Sequence, residues 1–172
     1  MALEFVDILR PRDFSRETEM GYAPDMTHAP SGDLSGLPLP KLADQGYVCV
    51  SNIPGSLTVG TGLTLKVLLV DDGKSAHDLG KVVRIGITPK RLVGGADTFD
   101  LDTNAATETT VDVTLDATSG ECVVGTATIA NAALDSTVVN YLFGLRVRRI
   151  GNHANDTCQG RVILMGITIS NT

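Results

Sequence analysis

The chain has 172 residues, of which 42% are hydrophobic but only 4% aromatic, with no Trp and 18 Gly. That length suits one domain with a real core, and the mixture favours an interior of Val, Ile, Leu and Thr carried on short strands with Gly-rich turns. A net charge of −6 and a pI near 4.9 disfavour a general nucleic-acid binder, and no apolar run approaches a membrane span.

Residues 1–45 differ from the rest. They hold five of the seven prolines (Pro11, Pro24, Pro30, Pro38, Pro40) and eight acidic against four basic residues, with no sustained apolar period. Leu3 to Leu9 can form a short helix or strand before Pro11 stops it, and the remainder reads as extended, turn-broken chain. Such a segment cannot bury enough apolar surface to offset its own ordering entropy. The expectation is an extended Pro-rich N-terminal arm that lies along a neighbouring subunit in preference to its own domain. No positively charged start followed by an apolar stretch marks a signal peptide, so synthesis in a cytoplasm is expected.

From Gly46 onward the apolar period is close to two. YVCVSNI (47–53), LTLKVLLV (63–70), KVVRIGI (81–87), TVDVTL (110–115), CVVGTATI (122–129), LFGLRVRRI (142–150) and RVILMGITI (161–169) read as strands, and Asp97–Leu101 can add another. NIPGS, VDDGKS, ITPKRLVGGAD and ATSGE separate them with turn residues. Only ANAALDS (130–136) looks helical. Many strands without a helical crossover predict an all-β, antiparallel, jelly-roll-like β-sandwich over 46–172.

Catalytic and metal signatures are weak. Gly73-Lys74-Ser75 ends like a phosphate-binding loop, but Leu68 occupies the position of the first glycine and no helix follows. Asp100, Asp102 and Asn104 begin like a calcium loop, yet Ala105 and Val111 replace its Gly and Glu. His28, His77 and His153 lie far apart in polar stretches. Glu108 and Glu121 have no fixed separation to make them a glycosidase pair. Cys49, Cys122 and Cys158 form no CxxC pair and read as reduced, structural thiols. Neither an enzyme nor a cofactor is expected.

Charge is unevenly distributed. Residues 92–145 carry eight acidic residues and no Lys or Arg, after which Arg146, Arg148, Arg149 and Arg161 follow. Taking 142–150 and 161–169 as a hairpin, Val147 pairs with Met165, Leu145 with Ile167 and Phe143 with Ile169. Phe143, Leu145 and Val147 then face the core, while Arg146 and Arg148 face outward towards a neighbour's carboxylates or towards solvent. Candidate subunit-contact residues are Arg146 and Arg148 together with the arm's Phe5, Ile8, Leu37 and Leu39.

The pattern LRVRRIGNHANDTCQGRVILMGITIS, preceded by NAALDSTVVNYLFGLRV, resembles the C-terminal strand pair of small jelly-roll structural proteins of tailed bacteriophages. Gly151, Ala154, Asp156 and Thr157 match the G-x-x-A-x-D-T loop, and the likeness covers roughly residues 120–172. It implies a virion component on the outer capsid surface: a decoration, or cement, protein that bridges capsid subunits. The implied partner is the phage's major capsid protein, and the implied assembly is a homo-oligomer, with a trimer favoured. A tail, baseplate or fibre-associated protein and a carbohydrate-binding β-sandwich are the alternatives.

Overall fold

Alternating apolar and polar residues sort this chain into two sheets whose inner faces meet. In the computed structural model, residues 7–10, 14–16, 27–28, 35–41, 46–52, 59–74, 76–92, 107–134 and 142–172 are described. The strands are β1 (Asp7–Leu9), β2 (Phe14–Arg16), β3 (Thr27–His28), β4 (Ser35–Leu39), β5 (Gly46–Asn52), β6 (Leu63–Asp71), β7 (Val82–Leu92), β8 (Thr109–Thr114), β9 (Val123–Ile129), β10 (Leu142–Arg149) and β11 (Val162–Asn171). The first sheet runs β3-β4-β11-β6-β9, with β1 also paired to β11; the second runs β2-β5-β10-β7-β8. Pairings are antiparallel, and from β4 to β11 the chain crosses between the sheets at each step except β7 to β8, which pair within the second sheet, as in a jelly roll.

The seven strands expected after Gly46 all form. Asp97–Leu101 lies outside the described residues, and ANAALDS contributes a single 3-10 turn, Asn131–Ala133. Leu63, Leu65, Val67 and Leu69 on β6, with Val162, Leu164, Ile167 and Ile169 on β11, meet Val83, Ile85 and Ile87 on β7 and Phe143, Leu145 and Val147 on β10. Aliphatic burial at about 1.5–3 kcal/mol per side chain is the main favourable term in such a core. The buried Tyr47 spans the layers and donates its hydroxyl to the Pro38 carbonyl at 2.7 Å, which satisfies the phenol inside the core.

The closing hairpin is corrected. Phe143, Leu145 and Val147 do face the core, but β10 and β11 lie in different sheets. Both edges of β10 are taken by β5 and β7, and β11 lies between β4 with β1 and β6. Both strands carry an apolar inner face, and stacking them face to face across the sandwich buries both at once.

The first 45 residues also depart from expectation. Their described strands pair within this chain: β1 and β4 with β11, and β2 with β5. Leu37 and Leu39, expected at a neighbour, are fully buried in the chain's own core. Phe5 lies outside the described residues, and Ile8 sits in β1 opposite Thr168.

Gly62 leads into β6 with φ 96°, and a Cβ there would stand 2.5 Å from the Ile129 carbonyl oxygen. Gly62→Ala therefore combines left-handed strain with a backbone clash and should cost about 1–3 kcal/mol. Urea unfolding checks this, with a lower midpoint and an unchanged slope expected.

Candidate functional site

Along β10, Phe143, Leu145, Val147 and Arg149 fall on one face, so Arg149 enters the interior at the strand's end. It is 1% exposed. Its Nε and Nη2 donate to Asp156 Oδ2 and Oδ1 at 2.8 and 2.7 Å, and Nη2 also donates to the Cys158 carbonyl at 2.6 Å. Nη1 donates to the carbonyls of Gly160 and Leu39. A buried charge is tolerated only when paired and fully hydrogen-bonded, and the planar guanidinium fork meets that demand.

This pair fastens the loop between β10 and β11. Asp156 Oδ2 accepts the Arg84 N–H at 3.1 Å, and the Val82 N–H donates to Thr157 Oγ1 at 3.0 Å. The Thr157 and Cys158 N–H groups donate to the Val82 carbonyl, and the Ile150 N–H donates to Arg84. Lys41 Nζ reaches the Asp156 carbonyl, and a Cβ on Gly151 would strike the Lys41 backbone. Gly151, Asp156 and Thr157 of the G-x-x-A-x-D-T pattern thus hold the loop to the start of β7 and to the chain after β4, whereas Ala154 is exposed.

Asp78 closes the network by accepting the Gln159 N–H at 2.7 Å. Burial pushes its carboxyl up, but hydrogen bonds from Gly160, Gln159 and the Cys158 thiol, with the Arg149 charge, hold it below the usual carboxylate value. Burial would lower the Arg149 pKa, and Asp156 instead raises it. The Cys158 thiol is pushed up to about 11, chiefly by burial. All three cysteines are free; Cys49 is buried like Cys158, whereas Cys122, expected inside a strand, is exposed and precedes β9.

The outer face of the second sheet carries the arginines. Arg148 Nε donates to Glu108 Oε1 at 2.7 Å and Nη2 to Oε2 at 3.0 Å. Arg84 Nη1 holds Asp112 at 2.8 and 3.0 Å, and its Nη2 donates to the Thr110 hydroxyl. Arg146 is half-buried, and Thr88 and Lys90 on the same face are buried. The acidic complement expected on a neighbour is thus met for Arg148 within the chain.

The outer face of the first sheet is more open. Its register sets Ser170, Thr64 and Thr128 in one row across β11, β6 and β9, and Thr168, Lys66 and Thr126 in the next. Leu68 and Val124 stand beside each other in a third row. Lys66, Val124, Thr126 and Thr128 are exposed, and Thr64, Leu68 and Thr168 are half-buried. Strands about 4.8 Å apart and alternate residues about 6.8 Å apart make this a regular lattice of hydroxyl groups with one cation and a short apolar strip, Ser170 alone being buried.

Other sequence candidates fall elsewhere. Gly73 sits in a turn with φ 67°, its N–H donating to Asp71 Oδ2 at 2.8 Å, followed by a 3-10 turn at Ala76–Asp78. Asp100, Asp102 and Asn104 lie outside the described residues. His77 and His153 are exposed on separate turns, and His28 lies in β3. Among the described residues no group of three His, Cys, Asp or Glu could hold a metal, and no helix is long and apolar enough to cross a membrane. Sequence reasoning missed Arg149 as the network's centre, although its phase with Phe143, Leu145 and Val147 marks it as an inward-facing cation.

The architecture is that of a jelly-roll β-sandwich similar to solved carbohydrate-binding modules. The xylan-binding module CBM15 superposes with a TM-score of 0.53 at 12% identity, over 97% of this chain and 96% of that one. The CBM22-1–GH10 modules of the Clostridium thermocellum endo-1,4-beta-D-xylanase 10B, complexed with xylohexaose, give a TM-score of 0.50 at 13% identity. That match covers 95% of this chain and 27% of the xylanase chain. At such identities the likeness is one of fold. No protein-family model and no curated protein matches the chain.

Arg149→Met leaves the Asp156 carboxylate and three carbonyls short of donors, and should cost about 3–5 kcal/mol. Chemical denaturation measures this; a loss below about 1 kcal/mol would contradict the latch. Cys158 supplies a pH signature. A thiol whose folded pKa is raised contributes stability that is complete below its unfolded pKa near 8.5 and is lost as pH rises through about 11. The difference in unfolding free energy between the wild type and Cys158→Ala should therefore shrink across that window. A difference independent of pH would contradict the burial of the thiol.

Proposed function

We propose that this chain is a non-catalytic recognition module that binds polysaccharide on the outer face of its first sheet. The observation that carries this reading is the open lattice of Thr64, Lys66, Thr126, Thr128 and Thr168 beside Leu68 and Val124. Hydroxyl groups repeated on a sheet, with the Lys66 ammonium among them, match the repeating hydroxyls of a sugar chain, and the apolar strip suits a sugar ring's C–H face. The likeness in fold to the xylan-binding module CBM15, and to xylanase modules complexed with xylohexaose, adds support by analogy. Tyr47 and Phe143 are buried in the core, so binding rests on hydrogen bonds without stacking from either ring. Affinity on the order of millimolar per site follows, strengthened where several copies engage one chain.

Retention on insoluble xylan and on a panel of other polysaccharides tests the reading. Wild-type protein should bind at least one of them, and Lys66→Ala with Thr168→Ala should weaken retention about tenfold or more. A failure to bind any polysaccharide, or an unchanged affinity in the double variant, would refute it.

A second reading, a phage virion decoration protein, is supported by the resemblance of residues 120–172. The residues that carry it build the latch, which fits a pattern passed on with the fold. Under this reading the major capsid protein is the partner, and the protein should co-sediment with capsids and raise their resistance to heat. Loss of polysaccharide retention with capsid binding intact selects this reading over the first.

A further inference from the structure

Among the described strands, β9 forms the outer edge of the first sheet, with Val111 and Val113 of β8 packed on its inner face. β9 pairs with β6 along one side, and no described residue hydrogen-bonds to its other side. A free edge is a template for another strand, and proteins usually blunt it with lysines, prolines or bulges. β9 has none of these. Cys122 to Ala130 contains no charged residue and no proline, and the register with β6 runs unbroken from Leu63–Ile129 to Leu69–Val123. The contrasting edge, β8, carries Asp112 in an ion pair with Arg84 and a hydrogen bond from Asn155 Nδ2. Independently, Val124 is the one large hydrophobic side chain exposed among the described residues, at 55%, and it lies on β9.

We infer that β9 pairs antiparallel with β9 of a second copy about a two-fold axis at Thr126, joining the two first sheets into one. In that register Thr126 meets its own counterpart, Val124 faces the partner subunit's Thr128 and Gly125 faces the partner subunit's Ala127. β-branched residues then oppose one another, which stabilises cross-strand pairs. A second copy is the favoured occupant because the segment is self-complementary under a two-fold axis. It is also an uncharged stretch of a chain with net charge −6, so copies meet there without direct repulsion. Two-fold strand pairing makes a dimer, in contrast to the trimer implied by the phage resemblance, and it does not depend on what the sheet face binds.

Sedimentation at about 100 µM, above the micromolar Kd expected of an interface of this modest size, tests the inference. Wild-type protein should be dimeric. Thr126→Lys and Thr126→Glu each place like charges opposite one another at the axis and should weaken association at least about tenfold. Thr126 is exposed, so both variants should keep the wild-type far-UV circular dichroism. An equimolar mixture of the two should restore the dimer by pairing Lys with Glu. A monomeric or trimeric wild type, a dimer unaffected in both variants, or a mixture that stays monomeric would overturn the inference.

Discussion

The fold depends on one buried cation. Arg149 enters the core at the end of β10, and its charge is held by Asp156 and by the carbonyls of Leu39, Cys158 and Gly160. These acceptors come from the chain after β10 and from β4, so a single guanidinium ties the second sheet, the β10–β11 connection and an early strand into one end wall. A cation placed there must be paired or the fold pays its full desolvation cost, which makes the arrangement all-or-none. The loop's backbone follows, since Ile150, Asp156, Thr157 and Cys158 each find partners on β7 or within the turn itself.

With that end fixed, the two outer faces take different roles. On the second sheet, Arg84 and Arg148 meet carboxylates from β8 and the residue before it, and Thr88 and Lys90 are buried. On the first sheet, exposed Lys66, Thr126 and Thr128 lie in register with half-buried Thr64 and Thr168 across three strands. The open face is therefore the one with groups left to offer a ligand, while the arginine face is largely satisfied within the chain.

Much of the fold was legible in residue alternation. A period of two marked every strand after Gly46, and the turns between them were marked by Gly, Pro, Asp and Asn. Alternation identifies which side chains share a face, but it cannot tell side-by-side strands from stacked ones. Phe143, Leu145 and Val147 were thus correctly inward while β11 was set in the wrong sheet. β4 escaped notice because Pro38 interrupts a Leu-x-Leu alternation and removes a ladder donor, which argued against a strand there. The hydroxyl lattice was hidden for a different reason: Thr64, Thr126 and Thr168 become neighbours only through pairings between distant segments. Arg149 was the one site residue with a readable local signal, a cation in phase with three core residues.

The central claim is that the Asn/Asp-rich connection at residues 150–160 is a structural latch and not a mobile functional loop. Amide hydrogen exchange measured residue by residue tests it most directly. The amides of Ile150, Asp156, Thr157 and Cys158 should be protected to the same degree as those of β10 and β11, exchanging only with global unfolding. Exchange of these four amides at the rates of an exposed loop, with the strands still protected, would contradict it.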